Sequence, residues 1–316
     1  MSDNKAVTKS TKRNLLSRIV KYRWFYLMFL PVFVFAILFY YAPMLGIRLA
    51  FTDFKGVKDP IYVGLANFEK MFKMQGFWDA FFNTLQISGL KLIINTFGAV
   101  ILSLLLNEVV NLKYKKAAQT IVYLPHFFSW VVAASIFGLI LAPSQQGLVN
   151  SFLTNIGIIE KGQEIYFLGN NKLWRPVYYV INAWRDTGWG TIIFMATLAG
   201  IDTEIYEAAS IDGAGRFQKI RFITVPALVN TIATVLVLNL AKIMNLFESV
   251  FVFQNDAVIR QSDVLQTYIY RQTFNSGALP NYGYTTAVGL VKSLVGALLV
   301  IMCNQISKKL RGRGIV

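Results

Sequence analysis

Cysteine, histidine and charge are all scarce in this sequence of 316 residues. Only 15% of the residues are charged, whereas about a quarter are charged in a usual soluble domain. The single cysteine, Cys303, cannot form an internal disulfide, and the single histidine, His126, has no acidic or cysteine neighbours in the sequence with which to bind zinc. No GxxxxGK[ST] loop is present, nor any Gly-Lys pair, so this sequence contains no P-loop for ATP.

Apolar residues make up 55% of the sequence, and its mean hydropathy is +0.49. They form long runs with few charges, which is the pattern of transmembrane helices. Each run can cross a bilayer core of about 30 Å at roughly 1.5 Å per residue. The first run has no small-residue cleavage site and indicates a retained span rather than a signal peptide. The sequence predicts an all-α membrane protein with six transmembrane helices: Phe25–Arg48, Phe82–Leu106, Gln119–Leu141, Pro176–Ala199, Phe222–Leu246 and Thr286–Ile306.

The net charge of +15 does not indicate nucleic-acid binding, because the bases cluster at the ends of the apolar runs. Six spans place both termini on one side of the membrane, and the bases are densest on that side, which predicts cytoplasmic termini. The predicted division is a cytoplasmic segment (1–23), a transmembrane domain (24–308) and a cytoplasmic tail (309–316). Outside residues 1–23, the bases on the cytoplasmic side are Lys113, Lys115, Lys116, Arg216, Lys219, Arg221, Lys308, Lys309, Arg311 and Arg313.

Three long loops lie on the other side of the membrane in this topology: Thr52–Phe81, Pro143–Arg175 and Phe247–Thr285. Their Gly, Asn, Pro and aromatic residues indicate ordered loops, and within them Asp263–Phe274 has the apolar spacing of a short surface helix. Long ordered loops suggest a soluble partner outside, but loops also tolerate length without a function, and the sequence leaves both interpretations open.

The segment "EAASIDGAGRFQKIRFITVP", Glu207–Pro226, lies in a short cytoplasmic loop between spans four and five. Asp202 or Thr203 can cap a helix that carries acids near its N-terminus, where the helix dipole favours them. Gly213 can end this helix because glycine accepts the left-handed conformation. Pro226 is placed near the first turn of span five, where proline is tolerated. The loop is therefore predicted to form a helix beneath the membrane, a sharp turn and a re-entry into the membrane. An ordinary interfacial helix would show the same pattern.

The spacing of this loop resembles the EAA loop of permease subunits of binding-protein-dependent ABC importers. The extended EAAxxDGA form resembles the carbohydrate-uptake branch, the maltose-type permeases. Val225 departs from the family pattern, which has Leu before the proline. The stretches "FESVFVFQN", "DVLQTYIYR" and "TTAVGLVKSLVGALL" with "NQISKKL" resemble LplB-like permeases, which are associated with oligo- and polysaccharide uptake. The matching loop residues are Glu207, Ala208, Ala209, Asp212, Gly213, Ala214, Ile223 and Pro226, and the resemblance extends from about Trp24 to the C-terminus.

The resemblance implies a coupling helix that docks in a cleft of a separate ATPase, within a coupling loop of residues 201–221. The residues implied to couple are Glu207, Ala208, Ala209, Asp212 and Gly213. It also implies three partners: a second EAA-type permease subunit, a P-loop ATPase dimer and an extracytoplasmic sugar-binding protein. The chain itself would carry no cofactor, since ATP and Mg would bind to the ATPase. The implied location is the bacterial cytoplasmic membrane, crossed several times.

Polar residues inside the spans are candidates for the substrate path, because an ionisable group in the bilayer usually faces a cavity or a partner. Tryptophans could stack on sugars, asparagines could bind hydroxyls, and Arg185 or Lys242 could pair with a uronate. Alternatively, Arg185–Asp186 and Lys242–Glu248 neutralise charge locally or with a second permease. The two stretches that hold these candidates, 182–189 and 239–248, resemble those lining the sugar cavity of maltose-type permeases. The residues of that family are mostly neutral and aromatic there, so Arg185, Asp186 and Lys242 depart from the pattern. The candidates are Asn182, Trp184, Arg185, Asp186, Trp189, Asn239, Lys242, Asn245 and Glu248.

Three ionisable residues outside these stretches are interpreted as structural. Lys91 and Lys292 are placed nearer the outer face, where their side chains could snorkel to water. His126, near the inner end of span three, is predicted to be a packing residue.

The sequence thus predicts the permease subunit of an ATP-driven importer of an oligosaccharide, with acidic and polysaccharide-derived sugars among the candidates. The alternative is a secondary transporter or channel driven by an ion gradient. That alternative explains charges inside the membrane but not the EAA loop, and no two matching halves are visible. An enzyme is excluded because no Ser/His/Asp or paired-carboxylate arrangement is present, so ATP hydrolysis is expected on a separate chain.

Overall fold

The computed structural model describes residues 20–275 and 279–311, and nearly all regular structure there is helical. Within these ranges four helical stretches are long and apolar enough to cross a membrane: Arg23–Phe51, Gln75–Asn107, Arg216–Leu240 and Tyr282–Lys309. A fifth is obtained if a bent pair, Leu112–Phe127 with Trp130–Ile140, counts as one span. The helix at the predicted fourth span, Trp174–Ala199, is 26 residues long but carries the polar residues Asn182, Arg185 and Asp186, which interrupt its apolar character.

The helices are numbered here in chain order. Helix α1 is Arg23–Ala36, continued by a π-helical turn (Ile37–Tyr41) and a 3-10 segment (Ala42–Phe51). The others are α2 (Ala66–Lys73), α3 (Gln75–Asn107), α4 (Leu112–Tyr123), α5 (Trp130–Ile140), α6 (Leu148–Asn155), α7 (Trp174–Ala199), α8 (Thr203–Ile211), α9 (Arg216–Lys219), α10 (Val225–Leu240), α11 (Glu248–Phe251), α12 (Ile259–Ser262), α13 (Leu265–Phe274) and α14 (Tyr282–Arg311). A two-residue antiparallel pair joins β1 (Thr52–Asp53) to β2 (Ile61–Tyr62).

The predicted third span is not a straight helix, because α4 and α5 meet at 99°. Pro125 lies in the 3-10 turn Leu124–Phe127 that ends the first piece, and proline cannot donate a helical hydrogen bond. Ser129 then caps α5, since its side chain accepts a hydrogen bond of 3.2 Å from the backbone N–H of Val132. A proline and a capping serine four residues apart therefore stop one helix and start another.

Pro226 lies in the first turn of α10 (Val225–Leu240), as the sequence predicts, although a continuous helical stretch runs from Arg216 to Leu240. Proline inside a helix removes a hydrogen bond and crowds the carbonyl four residues earlier. Here a π-helical turn, Ile220–Thr224, directly precedes α10 and its proline. A π-turn is a recognised way for a helix to absorb such a break.

The helix of the fifth span ends earlier than the predicted Leu246, because it stops at Leu240. The sequence stays apolar beyond that point because several side chains of the irregular segment that follows are buried. These buried residues are Ile243, Met244 and Leu246.

The three long loops that the sequence places outside the membrane contain helices that pack on the long apolar helices. The segment predicted as a surface helix is α13, but Leu265 and Tyr268 on it are fully or almost fully buried. The Asn83 side chain of α3 donates hydrogen bonds of 2.9 Å to the backbone carbonyls of Arg260 and Asp263. The described parts of all three loops contain helices, and α13 is part of the core rather than a surface element.

Close approach of α3 to α7 brings together the helices that carry the polar site. Gly98 of α3 faces the side chain of Thr187 on α7, and a side chain at Gly188 would collide with the carbonyl of Val122 in α4. Small residues at helix interfaces in membranes allow backbones to approach closely. Further down the pair, Ala99 packs in a buried cluster with Val100, Phe194, Leu198 and Leu228.

Candidate functional site

The loop after α7 forms a helix, a turn and a second helix, as the sequence predicts. Asp202 caps α8, because its carboxylate accepts a hydrogen bond of 3.0 Å from the backbone N–H of Glu204. Gly213 ends α8 with a positive φ of 77°. Two backbone hydrogen bonds close this end, from Gly213 to the Ser210 carbonyl (3.1 Å) and from Ala214 to the Ala209 carbonyl (2.8 Å). This pair of bonds is a Schellman motif, whose C′ position favours glycine.

The outer surface of this loop is exposed and partly apolar. Glu207 and Ala208 are exposed, and large apolar side chains project beside them, with Ile211 88% and Phe217 73% exposed. A shallow cavity of about 300 Å³ lies between α8 and the following helix. It is lined by Ala209, Asp212, Gly213, Ala214, Gln218, Lys219, Phe222 and Ile223. Exposed apolar patches with a polar rim mark surfaces for contact with another protein or with lipid.

Side-chain contacts connect the loop to the membrane helices. Arg216, the first residue of α9, pairs with the carboxylate of Glu108 and donates a hydrogen bond of 2.7 Å to its carbonyl oxygen. Glu108 directly follows α3. The Tyr206 and Thr224 hydroxyls lie 3.0 Å apart, which joins α8 to the start of the next span. These contacts tie the loop to the end of α3 and to the start of the next helix.

A cavity of about 890 Å³ lies between α3, α7, α10 and the irregular segment after α10. This volume is near the upper end for small-molecule sites. Six of the residues predicted to form the substrate path line it: Arg185, Asp186, Trp189, Asn239, Lys242 and Asn245. The structure thus brings residues from two distant parts of the sequence to one space.

Asp186 is the centre of a charged cluster on one wall of this cavity. Its Oδ1 lies 2.6 Å from Nη1 of Arg185 and 3.2 Å from Nδ1 of His126. Its Oδ2 lies 3.8 Å from Nζ of Lys91 and accepts a hydrogen bond of 3.3 Å from Asn182. The side chains of Lys91, Arg185 and Asp186 are only 13–22% exposed. Such partly buried charges are screened less than charges on an open surface.

Aromatic rings hold the cations of this cluster in place. The Arg185 guanidinium lies 4.2 Å from the centre of the Trp130 ring and donates a hydrogen bond of 3.0 Å to the Phe128 carbonyl. The His126 ring stacks on Trp189 at 4.7 Å with an interplanar angle of 10°. Trp189 is 46% exposed and lines the cavity, so it is placed to contact a ligand.

Three of the predicted path residues do not line the cavity. Asn182 is buried and accepts a hydrogen bond of 2.9 Å from Asn95, which connects α7 to α3. Trp184 packs against Phe128 and Phe137 on another side of α7. Glu248 is exposed at the start of α11, and within residues 20–275 and 279–311 no ion pair joins it to Lys242. The Arg185–Asp186 pair does form, but it faces the cavity.

Reasoning from the sequence missed the wall that α3 contributes. Lys91 lines the cavity and reaches Asp186, and His126 does the same from the turn after α4. Lys91 therefore does more than snorkel to water, and His126 does more than pack. Lys292 donates a hydrogen bond of 3.0 Å to Asn245. A signal for α3 was present, because Ser88, Lys91 and Asn95 are spaced by three and four residues and so share one helix face.

The site is not organised for a metal ion. In the described ranges of the chain, no group of three or more His, Cys, Asp or Glu side chains is placed to hold one. His126 has a single acidic neighbour in Asp186, which is an ion-pair arrangement.

No family model matches the chain. The chain is 36% identical, over 97% of its length and 94% of the relative's, to the polygalacturonan/rhamnogalacturonan transport system permease protein YteP of Bacillus subtilis (strain 168). It is 37% identical to protein LplB of the same organism, over 93% of this chain and 91% of LplB.

The fold is similar to that of a solved chain. The solved chain belongs to a bacterial ABC transporter involved in the import of the acidic polysaccharide alginate. The comparison gives a TM-score of 0.86 and 35% identity, and it covers 94% of the present chain and 99% of the solved one. The same TM-score and identity are found for a structure of the bacterial alginate ABC transporter in complex with an alginate pentasaccharide-bound periplasmic protein. Both sequence and fold similarities therefore extend over nearly the whole chain.

Proposed function

Because this chain belongs to the permease subunits of carbohydrate ABC importers, which are transport subunits and not enzymes, we propose that it forms part of the membrane path of an ATP-driven, binding-protein-dependent importer of an acidic oligosaccharide. The observation that carries the proposal is the exposed helix and turn of α8 and Gly213, connected through Arg216 and Glu108 to a helix that lines a polar cavity. An ion-gradient transporter would have no use for such a loop.

The proposed topology has six spans with both termini in the cytoplasm of a bacterium and the chain in its cytoplasmic membrane. Support comes from the four apolar helical stretches and the bent pair α4–α5, to which α7 is added as the polar, cavity-lining span. Polar residues in a span are tolerated where they face a cavity. The proposed domains are a cytoplasmic segment (1–23), a transmembrane domain (24–308) and a cytoplasmic tail (309–316).

Coupling is proposed to occur through residues 201–221, with Glu207, Ala208, Ala209, Asp212 and Gly213 contacting a P-loop ATPase. The exposed small side chains beside Ile211 and Phe217 support this role, since they form a slim apolar surface that a cleft can enclose. ATP and Mg are assigned to that ATPase, and no cofactor is assigned to this chain. A second permease would complete the path, and an extracytoplasmic sugar-binding protein would deliver the substrate.

The charge of the cavity supports an acidic substrate. Lys91, Arg185 and Lys242 line it, and Asp186 is the only acid among its described lining residues. An excess of fixed positive charge in a confined site favours an anionic ligand. Trp189 offers a ring for a sugar face, and Asn239 and Asn245 offer amides for hydroxyls. The names of two similar proteins mention polygalacturonan and alginate, and both of these polysaccharides are acidic.

The proposal is tested by purifying the tagged chain in mild detergent from its native membrane and identifying the associated proteins by mass spectrometry. A P-loop ATPase and a second permease are expected. Glu207→Lys should release the ATPase, whereas Glu160→Lys, which reverses an exposed charge in an outer loop, should not. Recovery of the chain alone, with sugar uptake that does not depend on ATP, would contradict the proposal.

A further inference from the structure

The charged cluster at Asp186 is unbalanced. Two basic side chains, Lys91 and Arg185, share one carboxylate, and His126 adds a third basic group. Within the described residues no other carboxylate lies within ion-pair distance of Lys91 or Arg185. Burial of charge is costly unless it is paired, so an empty cavity needs Asp186 to compensate these cations.

Arg185 and Lys91 are held very differently. Arg185 is fixed by three contacts: the Asp186 carboxylate at 2.6 Å, the Phe128 carbonyl at 3.0 Å and the Trp130 ring at 4.2 Å. The Lys91 ammonium lies 3.8 Å from Asp186 and 5.7 Å from the same ring, and it lines the cavity. An ammonium can make three hydrogen bonds, so Lys91 retains donors for a ligand.

We infer that Asp186 is a resident counterion that competes with the carboxylate of an acidic sugar for Lys91 and Arg185, and thereby sets the affinity and charge preference of the cavity. This inference rests on the proposed acidic substrate. A ligand carboxylate that approaches Lys91 also approaches Asp186, and like charges at close range repel. Asp186 therefore offsets part of the positive charge of the site and weakens anion binding, which allows the sugar to leave. It is a specificity-determining residue even though it has the charge of the substrate.

The test compares two probes of equal length, trigalacturonate and its fully methyl-esterified form. Binding to the purified complex in lipid nanodiscs is measured by isothermal titration calorimetry without a binding protein, so that only the membrane site selects. Wild type should prefer trigalacturonate. Asp186→Asn, which keeps a hydrogen-bonding group and removes the charge, should bind trigalacturonate about 10-fold more tightly, corresponding to about 1.4 kcal/mol, and the ester unchanged. Asp59→Asn, an exposed carboxylate in an outer loop, is the matched control and should change neither.

The possible outcomes separate the inference from the function. If wild type binds the ester as tightly as the acid, or binds neither, the acidic-substrate proposal fails. If wild type prefers the acid but Asp186→Asn binds it no more tightly, the counterion inference is wrong and the proposed function stands.

If the Asp186→Asn variant does not assemble, the inference is tested instead by measuring the binding of both probes to Lys91→Gln. Loss of the preference for the acid, with ester binding unchanged, supports the inference, because Lys91 is then the cation for which the two carboxylates compete. Equal weakening of both probes would mean that the Lys91–Asp186 pair is only structural, and would overturn it.

Discussion

Replacement of Gly213 tests the coupling loop through backbone conformation alone. Gly213 has a φ of 77°, and a Cβ added there would meet no atom within 4 Å. The substitution therefore removes no contact and creates no collision. Its only direct effect is the cost of holding a side-chain-bearing residue in the left-handed region at the end of α8.

The magnitude follows from that conformation. A left-handed conformation costs an L-residue about 1–2 kcal/mol, which is a factor of about 5–30 in an equilibrium. If the loop must keep this turn to dock, the fraction of competent loops falls by that factor, and the apparent Kd rises equally. Asparagine visits this region more readily than alanine, and β-branched residues least readily. The expected order of affinity for the ATPase is Gly, Asn, Ala, Val.

The assay is the affinity of the copurifying ATPase for permease variants in nanodiscs, measured by biolayer interferometry. Gly157→Ala is a closely matched control, because Gly157 has a φ of 75° with equally open surroundings but lies in an outer loop. It should cost similar conformational energy without changing the Kd of the ATPase. Equal affinity of Gly, Ala and Val at position 213, or an equal loss from Gly157→Ala, would refute the reasoning.

Substitutions at four other positions test three contacts that the structure defines. Glu108→Arg or Arg216→Glu should each lower ATP-driven uptake in proteoliposomes, and the double reversal should restore it, while thermal stability changes little because exposed pairs contribute about 0–1 kcal/mol. Loss of uptake that the double variant does not recover would contradict a link through this pair. Gly188→Leu should lower the temperature of thermal unfolding, since its side chain would collide with Val122. Trp184→Phe should leave the KM for sugar unchanged, because the ring packs away from the cavity, and a raised KM would show otherwise.

The coupling loop could be predicted from the sequence because its determinants are local. Asp202 caps the helix from the adjacent turn, and Gly213 closes it through bonds within five residues. Pro226 was placed correctly in the first turn of α10, but the π-helical turn that joins α10 to the helical residues from Arg216 onward was not predicted. Local chemistry identified the break but not the way in which the backbone absorbed it.

The cavity could be predicted only in part, since it depends on which helix faces meet. Arg185 and Asp186 were identified because charges inside a span are conspicuous. Their partners Lys91 and His126 are about 95 and 60 residues away in the chain, and only the packing of α3 and the bend after α4 bring them to the same carboxylate. Spacing along one helix can show a polar face but not the helix that it faces.

The first span has none of its most apolar 18-residue stretch buried, and its 3-10 end, Ala42–Phe51, packs against α14. Among the described residues, the first and last apolar helical stretches are therefore neighbours. Ribosomes add about 5–20 residues per second, so roughly ten seconds or more separate the synthesis of these two elements. During translation Arg23–Phe51 is therefore made well before Tyr282–Lys309, and the contact between them forms only after α14 has been synthesised.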